Sequence, residues 1–202
     1  MIVRNKDQRV AVLVDVQNLY YSARNFYNSR ISFKNLLKIA VADRVLTRAI
    51  AYVIQSDTSE KEFFNAVHEA GFEVKEKELQ VFPGGAKKGD WDVGIAMDAV
   101  RIGAKVDSVV LVSGDGDYVP VVNYLQQSLG CLVEVVAFGK TTSKALIDVC
   151  DDFIPIENHA KSLLFKTEKS VRSRSSNGSS SSTRTRARPA KRRAAKSPSR
   201  RR

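Results

Sequence analysis

Five aspartates in three separate stretches of the chain have the side-chain type and spacing of a metal site. One follows the apolar run "VAVLV", two lie in "WDVGIAMDAV", and two stand one residue apart in "SGDGDY"; they are Asp15, Asp92, Asp98, Asp115 and Asp117. A buried carboxylate without a partner is costly, so acids placed beside apolar runs need compensation. Carboxylate oxygens are the ligands that Mg²⁺ and Mn²⁺ prefer. The pattern therefore indicates a divalent cation, provided that the fold brings the stretches together.

The two middle acids are six residues apart, which limits how they can act. In an unbroken helix this spacing separates them by about 120° around the axis and about 9 Å along it. We therefore expect Asp92 at the helix entrance and Asp98 in the second turn, with Asp90 as an additional acid beside the entrance. Ordinary roles stay open for the other acids, because Asp-Gly loops form turns and cap helices without any metal.

Strand and helix patterns alternate along the chain and predict an α/β fold with an open, Rossmann-like parallel sheet of about five to six strands and helices on both faces. The expected strands are 9–16, 45–54, 72–82 (near an edge), 108–114, 131–139 and 153–156. The expected helices are 18–27, 32–43, 58–71, 91–104, 118–130 and 143–151. Such sheets bind ligands at the carboxyl ends of their strands, which is where Asp15 and Asp115 are expected.

Charge divides the chain into a domain, residues 1–160, and a tail, residues 161–202. The tail has 15 Lys or Arg and one acid, a net +14, whereas the domain has 18 basic and 21 acidic residues, a net −3. The tail has too few large apolar residues to fold, so we expect it to be disordered and to contact nucleic-acid phosphates. The domain itself should repel phosphates except at its metal. The expected tail contacts are Arg184, Arg186, Arg188, Lys191, Arg192 and Arg193.

Four segments together resemble the NYN domain, in particular its LabA-like branch within the PIN-like nuclease superfamily. They are "LVDVQN", "KKGDWDVGIAMDAV", "LVSGDGDYVPVV" and "SKALIDVCDDFIPI", and the resemblance covers roughly residues 8–157. It implies a metal-dependent ribonuclease on a Rossmann-like sheet. By position, Asp15 and Asn18 match the first motif of the family, and the four later aspartates match its middle and last pairs. Tyr118 stands where Phe is common.

These arguments assign a role to each candidate residue. The expected catalytic residues are Asp15, Asp92, Asp98 and Asp115, and the expected ligands of Mg²⁺ or Mn²⁺ are Asp15, Asp92, Asp115 and Asp117. Substrate binding is assigned to Asn18, Ser113, Lys87, Lys88, Thr141, Thr142 and Ser143. The two histidines, His68 and His159, lie outside the motifs, so a histidine base is not expected.

Other features restrict the setting and the competing functions. No apolar run approaches the roughly 20 residues of a membrane span, and the first residues lack the apolar core of a signal peptide. Cys131 and Cys150 are interpreted as core residues in a reducing compartment. The stretch "PAKRRAAK" would serve as a nuclear signal in a eukaryote, but the resemblance is mainly to prokaryotic proteins, so a cytoplasmic protein is expected. The expected partner is single-stranded or structured RNA, and a homodimer stays open.

Three alternatives to a ribonuclease remain. One is a catalytically silent RNA-binding or regulatory module. A phosphohydrolase of the haloacid type would need an Asp where Gln17 stands. A dinucleotide enzyme would need a G-x-G-x-x-G motif after the first strand, and the sequence has none there.

Overall fold

The computed structural model describes residues 4–55, 61–81 and 87–166. Its strands are β1 (Arg9–Asp15), β2 (Ser29–Ile31), β3 (Val45–Gln55), β4 (Glu73–Glu78), β5 (Gln80–Val81), β6 (Lys87–Lys88), β7 (Ser108–Val112), β8 (Leu132–Ala137), β9 (Asp152–Pro155) and β10 (Leu164–Lys166). Six of them form one sheet in the order β4-β3-β1-β7-β8-β9, and every neighbouring pair is parallel. The predicted α/β fold is confirmed, and β4 lies at the sheet edge as its alternating pattern indicated.

Within the described residues, seven α-helices connect the strands: α1 (Val16–Tyr27), α2 (Phe33–Val41), α3 (Lys61–Glu69), α4 (Asp92–Gly103), α5 (Val119–Leu129), α6 (Lys144–Val149) and α7 (Ala160–Leu163). Side chains of the central strands alternate between two apolar clusters. On β1, Val12 and Val14 pack with α1 and α2, whereas Ala11 and Leu13 pack with α4 and α5. Burial on both faces explains why β1 is a continuous apolar run. In the described parts of the chain, no helix is long and apolar enough to cross a membrane.

The boundary between domain and tail lies later than the charge pattern placed it. Residues 161–166, assigned to the tail, complete α7 and form β10, which pairs antiparallel with β2. Leu163 is fully buried, and its carbonyl accepts a hydrogen bond from the backbone of Ser32 at 2.9 Å. Two leucines in a lysine-rich stretch are enough to anchor it, because charge counting ignores the apolar residues between the cations. The six predicted tail contacts, from Arg184 to Arg193, lie outside the described residues.

A buried ionic network joins β8 to the segment that leads into β3. Glu134 on β8 and the guanidinium of Arg44 form a two-pronged ion pair, and both side chains are almost completely buried. Arg44 also donates to the carbonyls of Ala40 and Val41, while Ser108 donates to Glu134 at 2.8 Å. Burial alone would raise the pKa of Glu134, but the hydrogen bonds and charge of Arg44 outweigh it and lower that pKa. The sequence showed only an acid in an apolar strand.

Candidate metal site

Three carboxylates meet where α4 begins and β7 ends. Asp92 is the first residue of α4, and Asp115 and Asp117 follow β7 in and around a 3₁₀ turn, Gly116–Tyr118. One carboxylate oxygen from each lies within 4.8 Å of the others. Asp117 is exposed, and the other two are half-buried. The fold thus brings together acids that are about two dozen residues apart in the sequence.

The loop after β7 is shaped by its own hydrogen bonds and by two glycines. Asp115 caps the 3₁₀ turn, since its Oδ1 accepts the backbone N–H of Asp117 at 3.0 Å. A Cβ on Gly116 would lie 2.7 Å from Ser143 Oγ, and one on Gly114 would lie 2.9 Å from Thr142 Oγ1. A side chain at either position would require Ser143 or the Thr141–Thr142 segment to shift, so glycine lets the loop pack closely against the segment that precedes α6.

Asp15 borders this group and is linked to it by Tyr118. The Tyr118 hydroxyl lies 3.2 Å from Asp92 Oδ1 and 3.4 Å from Asp15 Oδ2. It has one proton, so it donates to one carboxylate at a time. The other Asp15 oxygen accepts the backbone N–H of Asn18 at 3.0 Å and caps α1. Asp15 is therefore both the end of β1 and the start of α1.

Burial and like charge perturb the pKa values of all three groups in this link. Burial raises the pKa of Asp15, and the charges of Asp92 and Asp115 add to that effect. Burial also raises the pKa of Asp92, which the charges of Asp115, Asp90 and Asp117 raise further. For Tyr118, burial and then the charges of Asp15 and Asp92 raise the pKa, so its hydroxyl stays protonated and remains a donor. The site concentrates negative charge that a cation would relieve.

Asp98, expected among the catalytic acids, is held in a different network. Its carboxylate accepts hydrogen bonds from Tyr52 Oη at 2.7 Å, from Lys75 on β4 and from Arg101 on α4. Burial would raise the pKa of Asp98, but the hydrogen bonds of Lys75 and Tyr52 and the two cationic charges lower it overall. The helix offset explains the difference: Asp98 lies about 9 Å further along α4 than Asp92 and points elsewhere.

Most residues assigned to substrate binding lie near the site but make internal hydrogen bonds. Asn18 Oδ1 accepts the Gly114 N–H at 3.1 Å, and buried Ser113 accepts the Asp115 N–H at 3.3 Å. Thr141 and Ser22 share a hydrogen bond of 3.1 Å between their hydroxyls, and Thr142 donates to the Phe138 carbonyl at 2.6 Å. Ser143 packs against Gly116 and donates its backbone N–H to the Gly114 carbonyl at 2.8 Å.

These contacts position the loop after β7, so a direct role of their side chains in substrate binding stays a prediction. A role in substrate binding also stays a prediction for Lys87 and Lys88. Lys87 and Lys88 form β6, but their side chains lie outside the described residues.

The residues present fit a small divalent cation. All three donors are carboxylate oxygens, the class that Mg²⁺ and Mn²⁺ prefer. Ligands on opposite sides of Mg²⁺ are about 4.2 Å apart, given bonds of about 2.1 Å. The three carboxylate oxygens lie within 4.8 Å of one another, which is of the same order as this separation.

The sequence pattern of the family described as "NYN domain" matches residues 9–157, which is most of the described structure. The chain belongs to the NYN domain family. NYN domains are part of the PIN-like nuclease superfamily, whose members generally use divalent metals. The fold of this NYN domain is similar to the crystal structure of a protein of unknown function, VPA0982, from Vibrio parahaemolyticus. The two are 37% identical with a TM-score of 0.73, and the match covers 81% of this chain and 100% of that one. Among curated proteins no relative matches the chain.

Sequence reasoning did not assign a role to Tyr118 or to the cations that hold Asp98. A signal for Tyr118 was present, because it directly follows the second acid of "SGDGDY". The partners of Asp98 had no such signal, since Tyr52 and Lys75 come from strands far away in the sequence.

Proposed function

We propose that this NYN domain, a member of the LabA-like branch, is a ribonuclease that hydrolyses RNA phosphodiester bonds with the help of Mg²⁺ or Mn²⁺. The observation that supports this most strongly is the convergence of Asp92, Asp115 and Asp117 at one end of a PIN-like sheet. Membership of the NYN domain family supports a nucleic-acid partner. The basic residues of the tail add affinity for the phosphates of that partner.

Asp92, Asp115 and Asp117 would hold the cation. When bound, such an ion lowers the pKa of a coordinated water and stabilises the charge that develops on the scissile phosphate. The capped turn fixes Asp115 relative to Asp117, and the start of α4 fixes Asp92. Ligands set by the backbone in this way lose little conformational freedom on binding.

Asp15 and Tyr118 would orient the ligand set. Tyr118 Oη keeps Asp92 Oδ1 in place, and its protonated state is secured by burial and by the nearby carboxylates. Asp15 accepts the Asn18 N–H at one oxygen, and its other oxygen lies 3.4 Å from Tyr118 Oη, so its main contribution is negative charge beside the site and a fixed position for Tyr118. The two histidines lie on α3 and in the turn before α7, so proton transfer is assigned to water and carboxylates.

RNA cleavage with defined metals tests the proposal. The full-length protein is incubated with labelled single-stranded RNA and with DNA of the same sequence, in EDTA, Mg²⁺ or Mn²⁺. We expect cleavage of RNA only with metal, and its loss in Asp115→Asn. Asp43→Asn is the matched control, because Asp43 is an exposed acid before β3 at a φ of 63°, a backbone conformation that Asn also adopts readily.

Two outcomes would contradict the proposal. Cleavage that persists in EDTA, or that is equal in Asp115→Asn and Asp43→Asn, would remove the metal site from the reaction. RNA binding without cleavage in any metal would instead identify the catalytically silent module.

A further inference from the structure

Five cations from β3, β4, α4 and the turn after α4 lie on one face of the domain, and three of them line a pocket. They are Arg48, Lys75, Lys77, Arg101 and Lys105, and we call this surface the basic groove. It lies outside the carboxylate cluster, and the sequence analysis gave none of these residues a function.

Strand register places three of the cations on the face that carries α4. Lys75 pairs with Tyr52 and Lys77 with Ile54, and paired residues of neighbouring strands share a face. Tyr52 belongs to the apolar cluster under α4, and Arg48 lies two residues before Ile50, which is in the same cluster. The Lys77 side chain is exposed, and the side chains of Arg48 and Lys75 are 34% and 33% exposed.

Two acids organise the cations without neutralising them. Asp98 holds Lys75 and Arg101 from opposite walls of the groove, and Glu73 forms a two-pronged ion pair with Arg48. The Arg101 side chain is still 62% exposed. Five cations against these two carboxylates leave a local excess of three positive charges, although residues 1–160 carry a net charge of −3.

The groove extends from the carboxylate cluster to a pocket. At one end, Lys77 Nζ donates to the carbonyl of Asp90 at 3.0 Å, two residues from Asp92. At the other end, a pocket of about 470 Å³ is lined by Thr47, Arg48, Arg101, Ile102 and Lys105. Arg101 follows Asp92 by nine residues of α4, a distance of about 14 Å along the helix axis.

We propose that the basic groove binds the phosphates of an RNA strand whose scissile bond lies at the carboxylate cluster. The proposal rests on the proposed function and extends it, because it gives the globular domain its own contacts with the substrate backbone. It revises the expectation that the domain repels phosphates everywhere except at its metal. Edge-strand lysines also deter pairing with other chains, but this does not account for Arg101 and Lys105, which come from α4 and the turn after it.

Binding in EDTA tests the groove independently of cleavage. The full-length double variant Lys77→Gln/Lys105→Gln is compared with Lys34→Gln/Lys38→Gln, which removes the same charge from exposed positions of α2 on the opposite face. Each protein is titrated with labelled single-stranded RNA at several salt concentrations, and its melting temperature confirms folding.

We expect the groove variant to lose two phosphate contacts. Each contact with single-stranded RNA makes the slope of log K against log salt more negative by about 0.7. The slope of the groove variant should therefore be less negative than that of the wild type by about 1.4. At 0.1 M salt this corresponds to about 25-fold weaker binding, while the α2 variant should bind like the wild type. Equal slopes and affinities for the two variants would refute the proposal that the basic groove binds RNA.

Cleavage kinetics separate this proposal from the ribonuclease itself. The groove variant should raise KM and leave kcat at saturating RNA unchanged, whereas Asp115→Asn should lose kcat and keep RNA affinity. If the wild type binds RNA through the groove but cleaves nothing, the ribonuclease is refuted and the groove stands. If RNA is cleaved but the groove variant binds and cleaves like the α2 variant, the groove is refuted and the ribonuclease stands.

Discussion

Substituting Asp98 by Asn should destabilise the protein, whereas the same change at Asp115 should not. Asp98 is surrounded by donors and cations, from Tyr52, Lys75 and Arg101, so its charge is stabilising in the metal-free protein. Asp115 lies beside Asp92 and Asp117, and removing one of several crowded like charges relieves repulsion when no metal is bound. The sign of the change in unfolding free energy therefore distinguishes a structural carboxylate from a metal ligand.

The contacts of Asp98 determine how much unfolding free energy Asp98→Asn should lose. Hydrogen bonds to a charged group contribute about 1.5–3 kcal/mol each, and Asn keeps one carbonyl oxygen that can still accept from Tyr52. Lys75 and Arg101 are exposed enough to turn to water, which reduces the loss. We expect about 2–3 kcal/mol, which lowers the melting temperature of a domain of this size by about 4–12 °C.

Thermal and urea melts in EDTA measure the two variants side by side, and the pH dependence gives a second test. Because folding lowers the pKa of Asp98 below its ordinary value of 3.8, its stabilisation is present above that pH and is lost as the pH falls through the lower, folded value. The gap between wild type and Asp98→Asn should therefore close below about pH 3.8. RNA cleavage well below the melting temperature should fall less than tenfold, unlike the roughly 10²–10⁴-fold loss of a catalytic acid or base. If Asp98→Asn stabilises the metal-free protein, or abolishes cleavage without changing the melt, Asp98 is not a structural carboxylate, and the catalytic role expected from the sequence stands.

Three further predictions concern other parts of the molecule. Glu134→Gln should cost about 3–5 kcal/mol in urea melts, because it leaves the Arg44 guanidinium, 1% exposed, without its counter-charge. Asp152 forms an ion pair with Arg4 at the surface, where its side chain is 40% exposed, so Asp152→Asn should cost less than about 1 kcal/mol. Equal costs for the two variants would contradict the buried network. Tyr118→Phe should cost about 1–2 kcal/mol in EDTA and less with saturating Mn²⁺, and an unchanged melt would show that its hydroxyl does not hold the carboxylates. Removing residues 168–202 should raise KM for RNA and leave kcat unchanged. If the tail binds eight phosphates, the slope of log K against log salt is about −6 in the full-length protein and should be less negative after the removal. An unaltered slope would show that the tail does not bind RNA.

The order of elements could be predicted from the sequence because each signal is local. The run before Asp15 is apolar at every position, as a strand buried on both faces requires, and the helices show apolar residues at helical spacing. Asp92 and Asp115 could be assigned to one edge for the same reason, since helices begin and parallel strands end there.

What could not be predicted depends on which distant residues meet. The helix offset correctly separated Asp98 from Asp92, but the partners of Asp98 depend on the register of β3 with β4. Glu134 finds Arg44 across 90 residues of sequence, and β10 pairs with β2 across more than 130. Neither pairing can be detected in the local sequence pattern, because that pattern does not show which distant residue or strand a segment will contact.

The most direct test of the central claim is a change of metal specificity at Asp115. Thiolates are soft ligands that bind Cd²⁺ and similar ions in preference to Mg²⁺. Asp115→Cys should therefore lose RNA cleavage in Mg²⁺ and recover part of it when Cd²⁺ is added, while the wild type gains nothing from Cd²⁺. Asp43→Cys, the matched control, should cleave like the wild type in both metals. Full activity of Asp115→Cys in Mg²⁺, or no recovery in Cd²⁺ by a folded protein that still binds RNA, would contradict direct coordination of the catalytic metal by Asp115.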